Sequence, residues 1–381
     1  MSADTMTPKE RILCAMRGGT PDRVPVQLGI MTIAPRMAKD PGWEVYYHGK
    51  HNLHEMMVQM VDEFGFDGYL YSGVGGKADP RDQRKWSREV IRKDADLIVV
   101  RDSCETPEGT LWQEVSYPPL DPPTPTRGWI KTVEDFKLYL KYFHFESYDF
   151  DPEPLQRHKA LLGDKGAVAA SVAMPGLHTM IGMFDAKLEG ATYFVMDHPD
   201  LMEEFVARQE RYILARLAAS LEAKPDYIEF GNSSMLTLST EEWVRKYTLP
   251  TLKKATHMCR QAEIPSELHA CGKARLLVEM AANETDLSSI NPLQPPPMGD
   301  CDLAEIKRTF GKRLCLKGNV GVTEPMLTGT PDDVEKDVIR CLEAAKEGGG
   351  YILFTEEGLG RETPFENIRR YIQVGKELGK Y

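Results

Sequence analysis

A repeated alternation constrains the fold of this chain more than any other feature. Short apolar runs at 24–28, 68–71, 167–172, 227–230, 266–269, 288–291, 314–318 and 351–354 are separated by longer amphipathic stretches. Runs this short, rich in β-branched and aromatic residues, read as buried strands, and the stretches between them read as helices. The helical pattern is plain at 200–223 and again at 331–347, where Thr330 is placed to cap and Pro331 takes the first helical position. Strand-helix repeats make neighbouring strands parallel, because the chain crosses back over the sheet each time. Eight such strands closing on themselves make a barrel, so the predicted class is α/β, a (β/α)8 TIM barrel in one domain spanning 1–381.

The alternation breaks between 73 and 152. Charged, strand-like pieces at 89–91, 97–101 and 110–115 precede a proline-rich stretch at 118–125, which predicts an insertion of hairpins and a loop. An insertion after the second strand lies at the C-terminal face, where it either roofs a site or serves as a stabilising lid without chemistry. A second rigid loop, with four prolines at 292–297, falls on the same face.

Composition narrows the function. A net charge of −11 without a strong Lys/Arg cluster argues against nucleic acid, and suits small-molecule chemistry or a basic protein partner. The start carries no apolar core with a cleavage site and no apolar run reaches membrane-spanning length, so a soluble, cytoplasmic protein is expected. Seven scattered cysteines lack the spacing of a disulfide framework, which predicts free thiols.

The chemistry concentrates in Pro265-Ser-Glu-Leu-His-Ala-Cys-Gly-Lys273. Nine His and seven Cys would give a His-x-Cys by chance in about one such chain in six, so context decides. Here the pair ends a predicted strand, where residues two apart share a face and, in a barrel, point into the mouth. His269 and Cys271 are therefore candidate zinc ligands, and a catalytic site needs a third. The sequence offers Cys301, Glu356 and Glu357; adjacent glutamates at the end of the last strand face opposite ways, so at most one of them lines the mouth.

Polar residues at other strand ends are candidate substrate contacts that serve equally as turn or cap residues: Ser72, Asn232 with Ser233, Asn291 and Asn319. The Met-rich loop after the third strand, with Met174 and His178, is either core or the wall of a pocket for an aromatic ligand. His48, His51 and His54 read as a surface turn leading into a helix, and His257 and Cys259 as helix positions on different faces.

Taken in order, Pro8-Lys-Glu-Arg-Ile, Pro21-Asp-Arg-Val-Pro-Val26, the His-x-Cys-Gly of 269–272, Leu316-Lys-Gly-Asn-Val320 and Glu357-Gly-Leu-Gly-Arg-Glu-Thr-Pro-Phe-Glu-Asn367 resemble the uroporphyrinogen decarboxylase superfamily. Within it the chain resembles the zinc-dependent, corrinoid-linked methyltransferases, including O-demethylase methyltransferases and methylcobamide:coenzyme M methyltransferases. The resemblance covers nearly the whole chain and implies a (β/α)8 barrel with its site at the C-terminal mouth. It implies zinc on the His-x-Cys pair and on a Cys near the end of the last strand, a position that reads Glu357 here. A carboxylate in place of a soft thiolate leaves zinc a harder Lewis acid, suited to oxygen rather than sulfur. The expected reaction moves a methyl group from an O-methylated donor, with aryl ethers foremost, to the cobalt(I) of a corrinoid on a separate protein.

Two other readings compete. Decarboxylases of the superfamily resemble one another in an Arg-rich segment after the first strand and an Asp after the second, where this chain has Gln27-Leu-Gly-Ile-Met31 and Tyr71-Ser-Gly-Val74. A substrate with many carboxylates needs cations that these stretches lack. The other is a non-catalytic corrinoid or small-ligand binding barrel that has lost the metal with the third Cys.

Overall fold

The computed structural model describes residues 4–77, 79, 81–95, 97–119, 121–143, 149–231 and 233–381. A helix at Pro8–Met16, started by a capping box between Thr7 and Glu10, leads to an extended segment at 24–29 and then to β1 (Gly68–Ser72). Next comes the insertion: β2 (Gly75–Gly76), an antiparallel sheet of β3 (Lys85–Lys93), β4 (Ile98–Thr106), β5 (Gly109–Tyr117) and β6 (Thr124–Arg127), and β7 (Phe150–Asp151), which pairs antiparallel with β2. A helix at Val133–Phe143, not foreseen from the sequence, lies between β6 and β7. The chain continues through β8 (Gly166–Ala173), β9 (Tyr227–Gly231), β10 (Ser266–His269), β11 (Ser289–Asn291), β12 (Cys315–Val320) and β13 (Tyr351–Thr355). These six and β1 form one parallel sheet in the order β1-β8-β9-β10-β11-β12-β13. The two helical patterns expected from the sequence appear as Pro199–Glu222 and Pro331–Ala345, the latter with Thr330 as N-cap.

Among the described residues the parallel sheet has seven regular strands, not eight. The run at 24–28 is extended but not a ladder strand, because Pro25 has no N–H to give. It still bridges the two edges of the sheet: Gln27 N donates to Leu353 O of β13, Leu353 N donates to Pro25 O, and Asp67 N donates to Val26 O. Side chains secure this seam. Asp67, 1% exposed at its side chain, accepts from Arg11 Nη1 at 2.7 Å, Arg23 Nη1 at 2.6 Å and Val26 N at 2.7 Å. Two guanidiniums and a backbone amide thus balance one buried carboxylate at the point where β1 begins.

The inward positions fall into layers. At the N-terminal end, Ile12, Ala15 and Met16 of the first helix pack on Ala167, Ala169, Tyr227, Cys315 and Ile352 and plug the barrel. Above them Lys317 and Glu267, both 1% exposed, pair at 3.0 Å, with the ammonium near the Tyr69 and Phe354 rings. The inserted sheet touches the segments that leave the C-terminal ends of several staves. Gly42 N donates to Pro119 O, Ile130 N donates to Met183 O at 2.9 Å, and Arg127 and Arg361 pair with Asp185 and Asp121. Among the described residues no helix is long and apolar enough to cross a membrane.

Candidate metal centre

The uppermost inward layer carries the chemistry. On β10 the period of two puts Glu267 and His269 on the inner face, and on β9 it does the same for Tyr227 and Glu229. In register, His269 stands beside Gly231 of β9 and Asn291 of β11. Gly272, at φ +78°, turns the chain immediately afterwards, and a Cβ there would collide with the Thr237 hydroxyl. Cys271 stays in the mouth, 9% exposed.

His269, Cys271 and Glu357 each present a donor atom, all within 4.8 Å of one another. Tetrahedral zinc with nitrogen at roughly 2.0–2.1 Å and sulfur at about 2.3 Å sets donor separations of about 3.4–3.8 Å, so small side-chain torsions close the set. One imidazole, one thiolate and one carboxylate form a three-protein-ligand set of the kind that leaves a fourth position open. The groups around them favour that use. His269 Nδ1 lies 2.8 Å from Asn291 Oδ1, which directs the Nδ1 proton to the amide and leaves Nε2 for the centre. Burial opposes charge on His269, but the Cys271 sulfur and Asn291 oxygen as acceptors, with Glu357 nearby, outweigh it and hold the imidazolium up to about 9. Burial also opposes the Cys271 thiolate, yet hydrogen bonds from His269, Ser233 and Ser234 bring the thiol below its usual value. Ser234 adopts φ 63°, which costs a non-glycine residue about 1 kcal/mol, and so holds its Oγ 3.6 Å from the sulfur.

The two glutamates separate. Ile352 packs in the plug layer and Phe354 lines the cavity above it, so alternation alone would turn Glu356 inward. The strand ends first, at Thr355, whose hydroxyl donates to Glu357 O at 2.7 Å. The turn reverses the parity: Glu357 enters the mouth, while Glu356 Oε1 accepts from Val322 N at 3.1 Å.

Two of the donors, His269 and Glu357, face a cavity of about 420 Å³ walled largely by Met31, Leu53, Met57, Tyr69, Tyr71 and Phe354. His269, Asn291 and Glu357 line it directly, and among its described lining residues there is no arginine or lysine. The other candidates lie elsewhere. Ser72 Oγ bonds His158 Nδ1 at 2.7 Å, Asn319 Nδ2 donates to Leu293 O, and Met174 is fully buried in the main core. His178 sits in the short helix Leu177–Met180 with Nε2 buried and unpartnered. Cys301 is outside the three-donor cluster, its thiol pushed up to about 12 by burial and by Asp300. Asn232 lies outside the described residues.

Two residues of the cavity wall were not among the site residues expected from the sequence, which placed His54 on a surface turn leading into a helix and did not single out Glu229. His54, in the first turn of the helix Leu53–Phe64, lines the wall and stacks on His158 at 3.6 Å between centroids. Glu229 is 6% exposed and takes a hydrogen bond from the Ser171 hydroxyl. Burial raises its carboxyl above the usual range against the pull of Ser171 and His269. Its signal was available: an acid in the middle of the apolar run Tyr227-Ile-Glu-Phe230.

Comparison with known proteins agrees with this architecture. The chain is 22% identical to the uroporphyrinogen decarboxylase of Trichodesmium erythraeum (strain IMS101), over 70% of this chain and 72% of that one. It is also 22% identical to the methylcobamide:CoM methyltransferase MtbA of Methanosarcina mazei, over 97% of this chain and 98% of that one. A solved methyltransferase from Methanosarcina mazei shares the fold, with a TM-score of 0.61 at 16% identity, covering 98% of this chain and 99% of that one. The model of the family described as uroporphyrinogen decarboxylase (URO-D) matches residues 114–378. That stretch runs from the inserted sheet to the last helix and holds all three donors, so the chain belongs to the uroporphyrinogen decarboxylase family.

Proposed function

We propose that this protein is a zinc-dependent methyltransferase that takes a methyl group from an O-methylated donor, foremost an aryl methyl ether, and delivers it to the corrinoid cobalt of a separate protein. The observation that carries the reading is the convergence of His269, Cys271 and Glu357 at the edge of an apolar, aromatic-walled cavity. Full-length similarity to a methylcobamide:CoM methyltransferase supports the transfer class. The donor set supports the substrate element, since one thiolate with one carboxylate makes a harder site than two thiolates. Zinc in such a set supplies a Lewis acid with one open coordination position.

The chain's own residues do the rest. Asn291 fixes the His269 ring, and hydrogen bonds from Ser233 and Ser234 favour the thiolate form of Cys271. Tyr69, Tyr71 and Phe354 seat an aromatic ring and exclude water from the breaking bond. The methyl carbon–oxygen bond breaks heterolytically and the oxygen keeps the pair; Glu229, at the wall of the same cavity with its carboxyl raised above the usual range by burial, is the acid nearest to hand for protonating it. Residues 73–152 are read as a roof over the C-terminal face, on the strength of their contacts with the loops that leave it.

The family also contains decarboxylases, but the absence of Lys and Arg from the described cavity wall disfavours a substrate with many carboxylates. The test is direct. Zinc-loaded protein is mixed with cob(I)alamin and a panel of methyl donors, and the cobalt spectrum is followed. Methylation from an oxygen-linked donor is expected, lost in His269→Ala and Cys271→Ala together with zinc. Failure with every oxygen-linked donor overturns the proposal.

A further inference from the structure

We infer that Arg216 forms a carboxylate subsite beside the metal centre, so that the methyl donor is an O-methylated aromatic acid; this deepens the methyl-transfer reading above and rests on it. Arg216 lies on the helix Pro199–Glu222, whose N-terminal end follows β8 at the C-terminal face. Side chains on a helix lean toward its N-terminus, which for this helix means toward the mouth. The guanidinium reaches the chain just past β1, where a Cβ on Gly73 would stand 3.0 Å from Nη2.

A guanidinium is expected to satisfy its donors on a carboxylate or on carbonyls. Arg216 does not. Its Nε is buried without a partner, Nη1 reaches only the Tyr212 hydroxyl at 3.5 Å, and among the described residues it forms no ion pair. Leaving that Nε buried and unpaired is costly, and a planar anion that binds the partly exposed guanidinium bidentately removes the cost.

The space for that anion exists. A cavity of about 330 Å³ brings Tyr212 and Arg216 together with Ser171, Glu229 and Gly231. Glu229 lines this cavity and the metal cavity alike. Ala173, Gly231 and His269 are at one level on three successive strands, so the backbone at the Ala173 edge of this cavity is about 10 Å from that of the histidine, and the guanidinium beside Gly73 lies about one strand spacing further along the sheet. With the Arg216 and His269 side chains both reaching inward from those positions, the donor that suits the arrangement is an aromatic ring with a carboxylate on one side and an ether oxygen on the other. Among the described residues lining the two cavities, Arg216 is the one arginine and there is no lysine, so a single carboxylate is matched and several are not.

The experiment is equilibrium binding of methoxybenzoate and of its neutral isostere methoxybenzamide to the zinc-loaded protein. The acid is expected to bind at least tenfold tighter than the amide. Arg216→Met is expected to abolish that preference by weakening the acid alone, with the amide unchanged within twofold, and Arg216→Lys to restore it in part. Equal binding of acid and amide by the parent protein overturns the subsite without any variant, as does an Arg216→Met protein that weakens both ligands equally. Hydroxybenzoate, which has no methyl to give, serves as the third ligand. If it binds through Arg216 while no donor is demethylated, the subsite stands and methyl transfer fails; if ethers are demethylated without an acid preference, the reverse holds.

Discussion

Replacing Asn291 by Leu should uncouple metal affinity from folding. The Asn291 side chain is 1% exposed, and its Oδ1 holds His269 Nδ1 at 2.8 Å while its Nδ2 has no partner. Leucine fills similar space, removes the orphaned Nδ2 and leaves the Nδ1 proton without an acceptor. These two changes oppose each other, and the fold should keep its stability to within about 1 kcal/mol. Metal affinity should not escape. Losing the partner that fixes a ligand's tautomer and orientation costs about 10–100-fold in affinity, or about 1.4–2.8 kcal/mol. Chelator competition at constant neutral pH measures the affinity, urea unfolding of the metal-free protein measures the stability, and cobalt(II) substitution shows whether the thiolate charge-transfer band survives. Zinc affinity within twofold of the parent would refute the orienting role. A loss approaching that of His269→Ala would instead make Asn291 itself a ligand.

Glu357→Gln keeps the shape but not the anion, so zinc occupancy and methyl transfer should fall together; full retention of both would move the third-ligand assignment to Cys301. Asp67→Ala removes the buried carboxylate shared by Arg11 and Arg23, which keep Asp22 and Asp4 as partners, and should cost about 1.5–3 kcal/mol in urea unfolding, with a change under 1 kcal/mol contradicting the seam. His178 is depressed to about 4 by burial, and its neutral form is the stabilising one. Its contribution is therefore complete above about pH 6.5 and lost as pH falls toward 4, with a slope of at most about 1.4 kcal/mol per pH unit. His178→Leu should flatten the stability curve over that window, and an unchanged slope would count against the burial of a neutral ring.

Much of this was legible locally. The short apolar runs mark seven strands and the extended segment at 24–29, because a buried parallel strand needs apolar residues on both faces. The His-x-Cys spacing reads directly, since the period of two is local geometry and requires no knowledge of neighbours. Other features were not legible. Pro25 broke a ladder that hydrophobicity alone predicted, and Ser72 and Asn319 were drawn into structural hydrogen bonds with His158 and Leu293 that no single segment announces. The hairpin region was visible as charged alternation, but its contacts with three separate loops were not.

The sequence by itself determined the parallel α/β architecture, the helix starts at Thr7 and Thr330, and the pairing of His269 with Cys271, all of which follow from spacing along one segment. Only the tertiary structure decided that Glu357 rather than Glu356 meets that pair, that Glu229 is buried with its carboxyl raised above the usual range, and that Arg216 has no counter-ion among the described residues. Each of those depends on which groups from distant segments share one low-dielectric space, where a missing partner or an added charge outweighs any local preference.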